Sequence, residues 1–154
     1  MTKVDRQLIG VNISSTAITA CRFDFSYRRL CTIQRPLPKP AMPGAITVEI
    51  CEVVLLIDRL VQADCLGIAL RGEIDSHGKV VKTCIEFPGW NEVPLADWLQ
   101  SRLCRQILII NSAESSFDRE ALKLKNKRLN DDTLYSLGAA ILSLERFASC
   151  VDLL

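Results

Sequence analysis

The stretch Leu8-Ile9-Gly10-Val11-Asn12-Ile13-Ser14-Ser15-Thr16-Ala17-Ile18-Thr19-Ala20-Cys21-Arg22-Phe23 decides the fold. Its first six residues read as a short strand. Ser14-Ser15 is a polar link, and residues 16–25 form a second β-type run with Ile18, Ala20 and Arg22 in alternation. Beyond Ser26-Tyr27-Arg28-Arg29, residues 30–35 make a third. Strands joined by links this short pair antiparallel, so the chain opens as a meander.

Further along, Pro36, Pro38, Pro40 and Pro43 exclude regular structure, so residues 36–44 are an extended connector. A helix is expected over residues 45–62. Ile46, Ile50, Val53, Val54, Ile57 and Val61 recur at helical spacing, with Glu49, Glu52 and Arg59 opposite. The many β-branched residues make a strand the competing reading, but the length and polar stripe favour a helix. Residues 64–70 and 80–85 read as strands, with a turn at 75–78 and a loop at Phe87-Pro88-Gly89-Trp90. Pro94 opens a helix through Leu103, where a proline suits the first turn, and residues 106–110 form a core strand. Phe117, Ala121 and Leu124 suggest a helix fading into the basic stretch 123–128. Asn130-Asp131-Asp132-Thr133 then offers caps for a last helix with Leu134, Leu137, Ile141, Leu144 and Ala148 on its apolar face. Three meandering strands followed by helix–strand units predict a three-layer α/β fold with a mixed sheet.

Composition sets the outer limits. A chain of 154 residues with 49% apolar and 24% charged residues suits one globular domain and excludes disorder and low complexity. The net charge of +1 supplies no field toward nucleic acid or anionic lipid. The longest apolar runs fall far short of the roughly 20 residues of a membrane span, and no apolar segment follows the charged start, so a cytoplasmic location is expected. The seven cysteines are odd in number and none forms a close pair, which excludes a zinc knuckle and a disulfide framework. They read as core packing. His77, the single histidine, lies in a turn sequence and reads as exposed rather than as the base of a cysteine nucleophile.

A resemblance sharpens this picture. Leu8-Ile9-Gly10-Val11-Asn12-Ile13-Ser14-Ser15-Thr16 resembles the first phosphate loop, I-G-V-D-I-G-G-T, of the sugar-kinase/actin superfamily. Leu66-Gly67-Ile68-Ala69-Leu70-Arg71-Gly72-Glu73-Ile74-Asp75 with Gly78-Lys79-Val80-Val81 is similar to G-I-G-x-P-G-x-V-D…G-x-V of the ROK family (repressors, open reading frames, kinases). Phe87-Pro88-Gly89-Trp90-Asn91-Glu92-Val93-Pro94-Leu95 resembles its L-P-G-W-x-N-V-P-L, and Ile107-Leu108-Ile109-Ile110-Asn111-Ser112-Ala113-Glu114 its V-x-V-E-N-D-A-N. Residues 131–142 resemble the family's C-terminal helix, D-x-x-x-x-G-A-A-x-L.

The resemblance implies a ribonuclease H-like (actin-like) lobe with a mixed five-stranded sheet and no second lobe. Residues 8–117 would be the N-terminal lobe, 118–130 a basic join and 131–154 the returning helix. The family's adenosine loop, E-x-G-H motif and zinc site have no counterpart here. Ser112 stands where the family has its catalytic Asp, the general base for the sugar hydroxyl. Asn12, Ser14, Ser15 and Thr16 form a degenerate phosphate loop without the acidic residue and paired glycines. Arg71 replaces a Pro, and Glu86 stands at a sugar-binding Asn. From these departures a catalytically inactive protein is expected, with neither cofactor nor metal.

The leading expectation is a non-catalytic ROK-like protein that binds another protein or itself, as a homo-oligomer, in regulation or assembly. A mean hydropathy of +0.19 favours a covered apolar surface. The alternatives are a small sugar or sugar-phosphate sensor using Gly72, Glu86, Asn111 and Ser112, half of a split sugar kinase, and a direct DNA-binding repressor. The last is disfavoured because family repressors carry a helix-turn-helix ahead of the first loop, where seven residues stand here. Trp90 reads either as a sugar-stacking ring or, preferably, as a wedge seating its loop on the core.

Overall fold

Alternation along three apolar strands builds the layers. β1 (Leu8–Ile13), β4 (Cys65–Leu70) and β8 (Gln106–Asn111) are buried along almost their whole length, as parallel strands covered on both faces must be. The computed structural model describes residues 7–24, 26, 28–58, 65–112 and 131–151. Ile9, Val11 and Ile13 of β1, Leu66, Ile68 and Leu70 of β4, and Ile107 and Ile109 of β8 enter one core. Leu8, Ala69, Leu108 and Ile110 enter clusters on the other face, following the two-residue period of a strand.

The main sheet has five strands. β2 (Ala17–Phe23) pairs antiparallel with β1 and with β3 (Arg29–Pro36). β4 lies parallel to β1, and β8 parallel to β4, giving the order β3-β2-β1-β4-β8. This is the expected mixed sheet. β5 (Gly72–Ile74), β6 (Val81–Cys84) and β7 (Asn91–Val93) form a separate antiparallel sheet between β4 and β8 in the chain. Two of its strands were not expected: at three residues each, β5 and β7 are too short to show a period.

One face is covered by α1 (Pro43–Ile57) and α2 (Leu95–Leu103), which pack against each other. α1 buries Ile46, Ile50, Val53, Val54 and Ile57 of the predicted stripe, while Val61 lies outside the described residues. It begins at Pro43, two residues before the expected start, because a proline in the first turn forfeits no helical hydrogen bond. It ends at Ile57 with Asp58 as its cap, and Arg22 on β2 donates Nη1 to the Ile57 carbonyl at 2.9 Å, satisfying one of the open acceptors of the last turn. Asp58 in turn holds Arg105, between α2 and β8, with both oxygens at 3.2 and 2.6 Å. The far face is covered by α3 (Asp131–Val151), which lies across β1, β2, β4 and β8. The helix expected around Phe117 and the join at 118–130 lie outside the described residues.

Candidate functional site

The parallel strands end together. Asn12, Ala69 and Ile110 form one row across β1, β4 and β8, and Leu70 pairs with Asn111 one step beyond. The segments that follow, 14–16, 71–72 and 111–112, therefore leave the sheet at one edge. The carboxyl edge of parallel strands is where open α/β sheets bind ligands.

Each expected site residue has a definite place there. Asn12 is buried in β1. Ser14 closes the β1–β2 hairpin. Its Oγ accepts the N–H of Thr16 and Ala17 at 3.3 and 3.1 Å and lies 3.2 Å from the Ala17 carbonyl. The hydroxyl thus organises its own turn, while Ser15 and Thr16 are exposed beside it. Gly72 is buried at the start of β5, and a Cβ there would strike the Thr83 carbonyl on β6. That close approach alone requires glycine. Asn111 is half-buried at the end of β8, and Ser112 is buried just after it.

Glu86 joins the edge through Arg71. The Ile85 N–H donates to the Arg71 carbonyl at 2.9 Å, extending the β5–β6 pairing. Arg71 Nη1 then sits 3.5 Å from Glu86 Oε1. Two residues that depart from the ROK pattern are therefore partners, fifteen positions apart in sequence. Nothing in spacing could show this, because it depends on the register of a strand only three residues long.

Other conspicuous side chains have structural work. Trp90 is 3% exposed, donates Nε1 to the Ala41 carbonyl at 3.0 Å and stacks on Phe87 at 5.0 Å between centroids. It is a wedge joining its loop to the proline-rich connector. Asp75 Oδ1 accepts the N–H of Lys79 and Val80 at 2.7 and 2.8 Å. Burial pushes its carboxyl up, but those two N–H groups, with the charge and N–H of His77, outweigh it and hold the carboxyl below its ordinary value. Cys21, Cys51, Cys65 and Cys84 are buried, and Cys104 is exposed. Burial pushes the Cys51 and Cys84 thiols up, away from reactive thiolate. A groove of about 640 Å³ lies beside β8, lined by Ile74, Asp75, Leu108 and, from α3, Leu142, Glu145 and Arg146. It flanks the sheet and takes in none of the expected site residues. Among the described residues, no three His, Cys, Asp or Glu side chains gather as a metal site, and no helix is long and apolar enough to cross a membrane.

A mixed sheet between helical layers, with its loops gathered at the carboxyl edge, is the lobe of an actin-like ATPase fold. In sequence and fold the chain matches part of a ROK-family protein. It is 26% identical over 109 residues to a glucokinase of Thermotoga maritima, covering 71% of this chain and 34% of that protein. It is 27% identical to a ROK family glucokinase from Streptomyces griseus, solved with glucose and AMPPNP, with a TM-score of 0.64 over 71% of this chain and 34% of that one. A ROK family transcriptional regulator homologous to the E. coli MLC protein shares the fold, with a TM-score of 0.64 at 13% identity over 79% of this chain and 31% of that one. No protein-family model matches the chain.

The chain thus spans about a third of the length of these glucokinases. This corrects the expectation of an inactive protein. That expectation rested on Ser112, on the altered first loop, on Arg71 and Glu86, and on second-lobe motifs not found in this sequence. The relatives above a quarter identical are glucokinases, and a match to about a third of their length gives no ground for denying this chain phosphoryl transfer.

Proposed function

We propose that this chain is a sugar-recognition lobe of the ROK type, taking its ligand at the carboxyl edge of β1, β4 and β8 and acting in regulation or assembly by associating with other protein surfaces. The observation that carries the reading is the gathering of the 14–16 turn, Gly72, the Arg71–Glu86 pair, Asn111 and Ser112 at that one edge. Hydroxyls, an amide and a paired carboxylate are the groups that exchange hydrogen bonds with a polyol.

Association is supported by apolar side chains left on the outside. Val48 and Leu55, 41% and 60% exposed, share one stripe of α1, and Trp98 is exposed on the adjoining α2. Glucose titration followed calorimetrically, with the native mass measured with and without sugar, tests both halves. Saturable binding accompanied by a change in mass supports the reading. Failure to saturate, or a monomer unchanged by sugar and by other proteins, contradicts it.

A second reading is favoured by the glucokinase likeness. Here the lobe supplies the sugar side of a kinase completed by another lobe. ATP-dependent formation of a sugar phosphate by the chain together with such a lobe would establish it.

A further inference from the structure

The helical layer of α1 and α2 carries most of the exposed apolar surface. Among the described residues six large apolar side chains are exposed, and four of them lie on this layer. Met42 caps α1, Val48 and Leu55 stand seven apart along it, and Trp98 is on α2. Charge is sorted to either side of them. On the flank toward β3, Glu49 and Glu52 share the one guanidinium of Arg35 at 3.5 and 3.9 Å, which leaves a net negative charge. On the flank toward α2, Arg102 lies one turn beyond Trp98 on the same side of its helix. It is close enough to α1 for its charge to act on the Cys51 thiol. Asp97, the carboxylate of α2, stands at the opposite end of that helix, in its first turn.

We infer that this layer is the contact face of a symmetric dimer, with a second copy of the chain laid across α1 and α2. The inference rests on the association half of the proposed function and names its partner. A two-fold axis normal to the layer turns each flank onto the other. It sets α1 antiparallel to its copy, packs Val48, Leu55 and Trp98 of the two chains together, and brings Arg102 of each copy to Glu52 of the other. A partner of one sign would meet repulsion on one flank, whereas a second copy meets opposite charge on both. The face is about 22 Å long, from the 15 residues of α1, and two helices or roughly 20 Å wide. That is smaller than the roughly 800 Å² per partner of a standard interface. The dimer is therefore a weak one, forming at micromolar concentrations and above.

Sedimentation velocity of the full chain, from micromolar to near-millimolar concentration, tests this. Glu52→Arg and Arg102→Glu each set like charges together twice per dimer, so each should raise the dissociation constant about tenfold or more. An equimolar mixture of the two variants restores both attractions and should dimerise as tightly as the parent. Leu55→Gln should weaken the dimer without changing its charge. All three positions are exposed and lie away from the carboxyl edge, so these variants should melt with the parent. A parent chain that stays monomeric throughout overturns the inference. If another protein then binds through Leu55, the association reading stands; if none does, both fall. A dimer indifferent to the three variants, or a mixture no tighter than its components, overturns this face as the contact.

Discussion

Gly10 of β1 lies opposite Gly67 of β4 in the parallel register, and α3 rests directly on the pair. A Cβ on Gly10 would overlap the Ser136 carbonyl, and one on Gly67 the Ala139 carbonyl. Helix backbone meets strand backbone with no side chain between them. Ser136 Oγ adds a hydrogen bond to the Thr19 carbonyl at 3.1 Å. The contact explains why both glycines and the small run Gly138-Ala139-Ala140 stand where they do.

Either Gly10→Ala or Gly67→Ala should therefore lift α3 from the sheet. The obstructing atoms are backbone, which cannot rotate away, so a cost of at least about 3 kcal/mol is expected, the upper end of ordinary overpacking. Chemical denaturation checks this, as does loss of amide protection confined first to α3.

The Asp58–Arg105 pair locks the end of α1 to the start of β8, with side chains 11% and 3% exposed. Asp58→Ala leaves the guanidinium buried and uncompensated, and should cost about 3–5 kcal/mol. Replacing both partners by apolar residues of similar volume should recover much of that loss. A double-mutant cycle in urea measures both outcomes.

Asp75 predicts a specific acid sensitivity. Its folded carboxyl lies below its ordinary value, so the charged form stabilises the fold. That contribution is complete above the unfolded value of about 4 and is lost as pH falls through the lower folded value. Asp75→Asn should weaken the turn at neutral pH by about 1 kcal/mol. The difference between parent and variant should shrink steadily below about pH 4 in thermal melts taken across that range.

Trp90 and the cysteines separate packing from chemistry. Trp90→Phe should cost about 1 kcal/mol for the lost hydrogen bond to Ala41 and somewhat more for the smaller ring, without changing sugar affinity. A thiol reagent applied to the folded chain should modify Cys104 before Cys21, Cys51, Cys65 and Cys84, as their exposure dictates. Calorimetry and peptide mass mapping provide the two measurements.

Much of the fold was legible because long, doubly buried strands and a wide apolar stripe carry strong periods. β1 to β3, β4, β8, α1, α2 and α3 all fall where Ile, Val, Leu and the flanking prolines place them. The strand order was not readable from periodicity, since β1 pairs with β4 across more than fifty residues of chain. β5 and β7 were missed for lack of length. At the site, the positions of Gly72, Asn111 and Ser112 at strand ends followed from motif spacing. The Arg71–Glu86 pairing did not, being set by a three-residue strand and its register. Asp75 was singled out within a motif, and only the structure shows its carboxylate committed to two backbone N–H groups.

The carboxyl edge of β1, β4 and β8 is the proposed ligand site. Amide shifts of the chain titrated with glucose and with glucose 6-phosphate test it most directly. A ligand at this edge should give shifts clustered at Ser14, Ser15, Thr16, Arg71, Gly72, Glu86, Asn111 and Ser112. Shifts centred instead on the groove formed by Leu108, Leu142, Glu145 and Arg146, or no saturable shifts at all, would contradict it.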